Sequence, residues 1–201
     1  GGHGHVFVGA SVPFGAVQLG PTSIPQSWDW CSGYHSSDST VIGFSHTHLS
    51  GTGIGDLFDI TVMPVVGAER YSRGEEPKDT SPEAIAAAQA TGMWSYADRT
   101  REVAKPGYYS VPLTRYGITA EMTATTRVGF SRYTFPASDS SAVVFDLENG
   151  GCWDKAYDTK FTVVDSCTLE GYRFSTGWAK DQRIYFRAQF SKPFNSIDEI
   201  T

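Results

Sequence analysis

The sequence lacks the marks of several common classes of protein. Its 16 Lys+Arg are outnumbered by 22 Asp+Glu, the formal net charge is −6, and no Lys/Arg cluster interrupts the acidity. This charge pattern argues against nucleic acid as a partner. The longest apolar runs, such as 142–145, are far too short to cross a bilayer. The three cysteines contain no C-x-x-C pair, so a zinc knuckle is excluded.

The sequence opens on GGHGHVFVGA, which contains neither an initiator Met nor the pattern of a signal peptide. We therefore interpret the 201 residues as one domain, 1–201, taken from a longer protein. Two alternatives for the cysteines stay open. Cys152 and Cys167 can form one disulfide, or all three cysteines, Cys31 included, can be buried thiols.

Amphipathic helices between strands are missing, and the dominant hydrophobic period is two. Between 118 and 124 apolar and polar residues alternate, which predicts a strand with one buried face. Similar segments recur along the chain, bounded by Gly, Pro, Asp or Ser, and predict a mainly antiparallel, all-β sandwich. They are AVQLG, DITVMPVV, GYYSVPL, GITAEMTATTRVGFSRYTF, SAVVFDL, FTVVDSCTLEGYRFS and RIYFRAQF.

One short helical insertion is predicted at Thr80–Ala90. Ser81 can cap its N-terminus, Pro82 occupies the first helical position, and Glu83 favours the positive end of the helix. Gly92 can end the helix.

The usual catalytic signatures are absent too. There is no strand–G-x-S-x-G–helix elbow, and the glycine-rich run 51–55 lacks the Lys of a phosphate-binding loop. Asp29, Asp56 and Asp59 show no paired spacing for acid–base catalysis, and a Cys31–His pair rests on proximity in sequence alone. Two H-x-H pairs with Asp56 or Asp59 could assemble a zinc or manganese site, although nothing in the sequence brings His3 and His5 to His46 and His48.

The stretch 27–57 is rich in groups that hold sugars. Aromatic faces suit the C–H face of a pyranose, and short polar groups suit its hydroxyls. Trp30 can equally be a core residue, whereas the Ser-Trp-Asp turn context of Trp28 favours a binding role. The candidate aromatic residues are Trp28, Trp30, Tyr34 and Phe44, and the polar ones are Asp29, His35, Asp38, His46 and His48.

Several blocks carry a resemblance to a known family. They are GGHGHVFVGASVPFGAVQLGP, SWDWCSGYHSSDSTVIGFSHTHLSGTGIGDL, PGYYSVPL, EMTATTRVGFSRYTFP and WAKDQRIYFRAQFSKPF, in the family's order. The chain resembles the N-terminal domain of glycoside hydrolase family 92, largely bacterial exo-acting α-mannosidases. The resemblance implies a β-supersandwich (galactose-mutarotase-like) packed on a C-terminal (α/α)6 catalytic barrel. It also implies a calcium-dependent, inverting hydrolysis of terminal α-linked mannose from glycans such as mannan or N-glycans.

The resemblance places the active site at the seam between the two domains. The acid, the base and most calcium ligands are expected from the barrel, so this chain is expected to hold no catalytic or metal-binding residue. By motif position, its substrate-binding residues are Phe14, Gly15, Trp28, Asp29, Tyr34, His46 and His48. Large glycans are met outside the cytoplasm, so a periplasmic, cell-surface or secreted location is expected.

Some positions depart from the family pattern and leave the linkage preference open. Arg99 and Ser131 replace frequent histidines, and Trp30 replaces a small residue. An alternative class is an autonomous carbohydrate-binding module without catalysis. We also expect an exposed aromatic patch around 28–48, where the barrel would dock.

Overall fold

The computed structural model describes residues 5–24, 31–51, 55–67, 78–79, 81–89, 92–151 and 153–200. These residues form thirteen strands and one helix. The elements are β1 (Gly20–Thr22), β2 (Thr40–Val41), β3 (Gly43–Ser45), β4 (Thr61–Val66), α1 (Pro82–Gln89), β5 (Ser95–Tyr96), β6 (Val103–Lys105), β7 (Tyr108–Leu113), β8 (Ile118–Ala124), β9 (Gly129–Thr134), β10 (Ser141–Asp146), β11 (Lys155–Asp165), β12 (Thr168–Thr176) and β13 (Gln182–Gln189).

The strands form four sheets, and within the described residues every strand pair is antiparallel. Two sheets have four strands, in the orders β1-β3-β4-β10 and β6-β7-β8-β9. A third sheet has the order β11-β12-β13, and β2 pairs with β5. The predicted all-β, mainly antiparallel fold is therefore confirmed.

The main core lies between the two four-stranded sheets. Phe44 of β3 stacks on Tyr133 of β9, with ring centroids 6.3 Å apart. Met63 of β4 and Met122 of β8 join the same buried cluster, at 0% and 1% exposure. Burying each such side chain contributes about 1.5–3 kcal/mol, so this layer stabilises the sandwich.

The three-stranded sheet packs on the opposite side of β10. Val144 contacts the main core, so its neighbour Phe145 points to the other face of the sheet. There Phe145 meets Phe161, Phe186 and Phe190, with ring centroids 5.9, 6.0 and 6.2 Å away. This second aromatic cluster attaches β11–β13 to the sandwich.

The helical insertion forms largely as predicted, over Pro82–Gln89 rather than Thr80–Ala90. The Ala84 amide donates to Ser81 Oγ at 3.2 Å, which confirms the N-cap, and Glu83 lies in the first turn. No helix in the described part of the chain is long and apolar enough to cross a membrane.

The cysteine alternatives are resolved only in part. Cys31 is fully buried, and Cys167 carries a free thiol that is partly exposed. Cys152 lies outside the described residues. Cys31 thus fits the description of a small buried hydrophobe.

Candidate functional site

A compact cluster of side chains surrounds the carboxylate of Glu102. Tyr34 Oη donates to Glu102 Oε2 at 3.1 Å, and Tyr109 Oη donates to Oε1. Arg99 Nη1 also donates to Oε1 at 2.6 Å, and the Arg99 guanidinium lies 4.7 Å from the centroid of the Tyr34 ring. We call Glu102, Tyr34, Tyr109 and Arg99 the Glu102 cluster. It holds the partly exposed Tyr34 ring in one orientation.

The electrostatics of the cluster keep both phenols protonated. Burial raises the pKa of Tyr34, and the negative Glu102 raises it further. Burial, again with Glu102, raises the pKa of Tyr109 well above the usual value. Both hydroxyls therefore remain donors to the carboxylate at neutral pH. The arrangement suits a rigid binding wall rather than proton transfer.

A second candidate surface is a loop that displays Phe14. The loop is closed by a bridge between Ala10 and Leu19, and its tip is a turn in which Gly15 N donates to Val12 O at 2.9 Å. Phe14 has φ +58° and is 102% exposed. A non-glycine residue in the left-handed region costs about 1–3 kcal/mol, and such strain clusters at functional sites. The strained turn presents an aromatic ring to solvent.

The Phe14 loop lies beside the hairpin of β6 and β7. A Cβ on Gly107, in the turn of that hairpin, would be 3.8 Å from Ser11 O. On the other side of the tip, Ala16 N donates to Thr126 O at 2.7 Å. Tyr109 of the Glu102 cluster is only two residues from this turn. The predicted residues Phe14 and Tyr34 thus come from neighbouring segments.

His48 supports the base of the Phe14 loop. Its ring is 1% exposed, and burial lowers its pKa to about 4, so the ring is neutral at neutral pH. His48 Nδ1 lies 2.7 Å from Gln18 O, and the His48 amide donates to Gln18 Oε1 at 3.1 Å. Nδ1 therefore carries the proton and donates to the carbonyl. Thr22 Oγ1 lies 3.3 Å from Nε2, and the rings of Phe7 and Phe58 pack on the imidazole, with centroids 4.8 and 5.3 Å away.

His46 binds a different carbonyl, in the turn before β4. His46 Nδ1 lies 2.8 Å from Ile60 O, and burial lowers its pKa. The His46 carbonyl accepts from Gln18 N at 2.9 Å, so this residue also supports the loop. Within the described residues no group of three or more His, Cys, Asp or Glu could hold a metal ion, and His3 lies outside them. The zinc or manganese arrangement does not form in the described part of the chain.

A buried ionic cluster, which the sequence did not reveal, lies behind these loops. Arg173 is 0% exposed, and its Nη1 donates to Asp59 Oδ1 at 2.6 Å. Arg173 Nη2 bonds to Asp154 Oδ1, and Nε donates to Leu147 O at 2.9 Å. Ser175 Oγ donates to Asp154 Oδ2 at 3.1 Å. Arg173, Asp59, Asp154 and Ser175 form what we call the arginine cluster.

The arginine cluster fixes a strained turn. Leu57, Phe58 and Ile60 have φ values of +68°, +64° and +51°. Asp59 lies among them, and its Oδ2 accepts from Thr47 Oγ1 at 2.7 Å in addition to the bond with the arginine. Strained backbone persists where surrounding contacts over-determine it. This turn carries the Ile60 carbonyl that His46 binds, so the ionic cluster indirectly supports the candidate site.

Comparison with known proteins decides the family. A family model described as "Glycosyl hydrolase family 92 N-terminal domain" matches residues 1–201. The chain belongs to glycosyl hydrolase family 92. Its match is to the N-terminal domain, which agrees with the predominantly antiparallel sandwich.

Solved family 92 structures share this fold. A family 92 α-mannosidase from Bacteroides thetaiotaomicron, in complex with mannoimidazole, has a TM-score of 0.86 and 35% identity; the match covers 96% of this chain and 24% of that one. The family 92 glycosyl hydrolase CcMan5 has a TM-score of 0.71 and 25% identity, with 93% and 24% covered. An uncharacterized secreted glycosidase from Arthroderma benhamiae is 28% identical over 140 residues, which are 69% of this chain and 16% of the relative. The chain thus spans a quarter or less of these proteins.

The structure separates the predicted family 92 site residues into groups. Phe14, Gly15 and Tyr34 lie on neighbouring segments with exposed or partly exposed side chains or backbone. His46 and His48 lie behind them and bind backbone carbonyls. Trp28 and Asp29 lie outside the described residues, as does Trp30.

Calcium, which the family resemblance implies, has no fitting donor set among the described residues. Calcium takes six to eight oxygen ligands, usually several carboxylates. Asp59 and Asp154 direct oxygens to Arg173 instead, and no described group of three acids or histidines could hold an ion.

The prediction of an exposed aromatic patch around 28–48 is wrong for Phe44. That ring is 0% exposed, because β3 turns it into the main core against Tyr133. Exposed aromatic rings occur elsewhere in the described chain, on and beside the three-stranded sheet. Those near this sheet are Trp153, Tyr157, Trp178 and Tyr185, at 57%, 52%, 70% and 68% exposure, and Phe14, Tyr96 and Phe130 are exposed as well.

Proposed function

We propose that this chain is the N-terminal β-sandwich domain of an exo-α-mannosidase and forms one wall of its mannose pocket. In this proposal residues 1–201 dock on a catalytic (α/α)6 domain of the same polypeptide. That domain supplies the general acid, the general base and the ligands of a calcium ion. The calcium ion, when bound, would hold sugar hydroxyls at the seam, and hydrolysis of the terminal α-mannoside would invert the anomeric carbon.

The family match over 1–201 carries the proposal, because the similar solved enzymes are family 92 α-mannosidases. Two of the buried acids, Asp59 and Asp154, add support. An inverting glycosidase needs two carboxyl groups about 6.5–9.5 Å apart with room for a water. Asp59 and Asp154 instead share one arginine in a fully buried ionic cluster, where neither can reach a substrate.

The geometry supports distinct roles for the predicted residues. Phe14 would stack on the apolar face of a sugar, since its ring is fully exposed. Tyr34 would offer a rigid ring edge, because its hydroxyl proton is committed to Glu102. His48 would act as a positioning residue that fixes the Phe14 loop through Gln18. Trp28 and Asp29 keep their predicted role as sugar contacts.

The proposed substrates are terminal α-linked mannose residues of mannan or N-glycans, which are met outside the cytoplasm. A periplasmic, cell-surface or secreted location follows from this substrate class. The name of the Arthroderma relative, a secreted glycosidase, supports that location.

The decisive experiment assays the complete protein on an aryl α-mannoside, with calcium and after chelation. We expect hydrolysis with inversion, which proton NMR of the released mannose would detect. Chelation should abolish the activity. The separately expressed 201-residue chain should be inactive. Absence of turnover by the complete protein, or strong turnover by the chain alone, would contradict the proposal.

A pair of variants tests the wall itself. Phe14→Ala should raise KM by about tenfold, the effect of losing one aromatic contact, with a smaller change in kcat. Tyr185→Ala is a matched control, because it removes a similarly exposed ring from a different sheet. Equal effects of the two changes on KM would refute a specific role for Phe14.

A further inference from the structure

The three-stranded sheet has an outer face covered with aromatic rings. Tyr172, Phe174 and Tyr185 alternate with residues that point toward Phe145, so they share the opposite face, and Tyr157 joins them at a bulge in β11. Tyr185 and Tyr157 are 68% and 52% exposed. We call these four residues the aromatic face.

The four rings form one continuous surface. Tyr172 and Phe174 are stacked, with centroids 4.2 Å apart and planes at 19°. Tyr185 meets the two rings edge-on, at 5.9 and 5.4 Å. The centroid of Tyr157 lies 6.3 Å from that of Phe174. Contiguous exposed apolar surface of this kind marks a binding site more often than isolated exposed residues do.

Hydrogen-bonding groups border the rings. Tyr157 Oη donates to Asp181 Oδ1 at 2.7 Å, and Arg183 Nε donates to the same oxygen at 3.1 Å. The Arg183 guanidinium lies 5.2 Å from the centroid of Phe174. Carboxylates with free lone pairs and a guanidinium fork can bind neighbouring hydroxyls of a ligand. Flat apolar rings bordered by such groups match a pyranose.

The charges of the face are balanced. Its three register rows are Lys160–Tyr172–Tyr185, Asp158–Phe174–Arg183 and Thr162–Glu170–Arg187. With Asp181 these rows hold three acids (Asp158, Glu170, Asp181) and three bases (Lys160, Arg183, Arg187). A phosphorylated or strongly charged partner would meet side chains of its own charge on this face. An uncharged polyhydroxy ligand can accept hydrogen bonds from the bases and donate hydrogen bonds to the acids. The balance therefore selects an uncharged glycan.

We propose that the aromatic face is a second carbohydrate-binding surface, which holds an uncharged glycan chain away from the mannose pocket. The geometry of this face is the basis for proposing that it binds a glycan. The proposal that this glycan is rich in mannose rests on the proposed function. Such a surface would keep a polymer bound to the enzyme between successive hydrolytic events.

The test is affinity electrophoresis of the complete protein in native gels that contain soluble α-mannan. The wild type should be retarded, and Tyr185→Ala should weaken this binding by about tenfold, the effect of removing one stacking ring. Tyr108→Ala is a matched control: Tyr108 Oη donates to Glu121, which pairs with Arg132, on the other sheet. Tyr108→Ala should keep the retardation.

Three outcomes would overturn the proposal. The first is no retardation of the wild type, or the same retardation for Tyr185→Ala. The second is slower hydrolysis of a small aryl mannoside by Tyr185→Ala, which would show that the face docks another domain of the enzyme. The third is a dimer by light scattering that Tyr185→Ala dissociates. If the complete protein hydrolyses no aryl mannoside, the proposed function is wrong. The gel experiment still tests whether the aromatic face binds a glycan.

Discussion

Two buried basic side chains illustrate opposite solutions to the cost of burying charge. Arg173 and His48 are 0% and 1% exposed. Arg173 keeps its charge, because Asp59 and Asp154 surround it with opposite charge and fixed hydrogen bonds. His48 gives up its charge, because burial lowers its pKa to about 4 and its ring packs against Phe7 and Phe58, with no carboxylate among its hydrogen-bond partners.

The difference follows from what each residue connects. Arg173 joins a strand of the three-stranded sheet to Asp59, which is 114 residues away in sequence. A charged fork with several fixed bonds gives that long-range contact a defined geometry. The His48 ring supports a loop through one neutral hydrogen bond to the Gln18 carbonyl, which needs no compensating charge. One residue secures sheet assembly, and the other secures the loop of the candidate site.

The largest effect is expected from Arg173→Met, which leaves two buried carboxylates without their partner. We expect the free energy of unfolding in urea to fall by about 3–5 kcal/mol. Arg132→Ala is the control, since it removes an arginine–carboxylate pair whose arginine is 69% exposed, and should leave stability unchanged within error. Similar losses in both variants would break the comparison between buried and exposed pairs.

The next effect is a loss of stability at mildly acidic pH. His48 has a folded pKa of about 4 against 6.5 for the free side chain. The unfolded chain therefore binds a proton more readily, and stability falls as the pH drops from 6.5 toward 4, by about 3 kcal/mol in total. The lowered pKa of His46 acts in the same direction.

Urea unfolding of the wild type and His48→Asn across this range checks the prediction. The asparagine can still donate to the Gln18 carbonyl but does not titrate, so its pH profile should be flatter. Equally steep profiles would show that His48 is not buried in its neutral form.

The smallest effect is expected at the half-buried Glu102 cluster, which lies between the two extremes. Glu102→Gln weakens the bonds from Tyr34, Tyr109 and Arg99 without opening a cavity. We expect a loss of about 1–2 kcal/mol in urea unfolding. Glu121→Gln, at an exposed tyrosine–arginine pair, should have no measurable effect; a loss as large as that of Arg173→Met would place Glu102 among the buried ionic groups instead.

Local patterns predicted much of the fold. Alternation between 118 and 124 predicted β8, because a strand with one buried face must repeat every two residues. Ser81 predicted the helix cap, since a short side chain before Pro82 can satisfy a free amide. Short strands such as Thr40–Val41 were missed because two residues cannot show a period.

The site was less predictable, because its contacts are long-range. Phe44 stands in a segment rich in chemically active groups, yet only the sheet pairing shows that it points into the core. Arg173 looks like an ordinary polar residue in an alternating strand, and its partners lie 114 and 19 residues away. The left-handed conformations of Leu57 and Ile60 had no signal, since neither residue type favours them.

The alternation of Tyr172, Arg173 and Phe174 along β12 also limits how this domain can change during evolution. Each register row places one of them on a defined side of the sheet. Deleting a single residue inside the strand would send the arginine to the surface and an aromatic ring among buried aspartates. Substitutions at the outer positions should therefore leave the fold intact, whereas insertions and deletions should be confined to the ends of the strand.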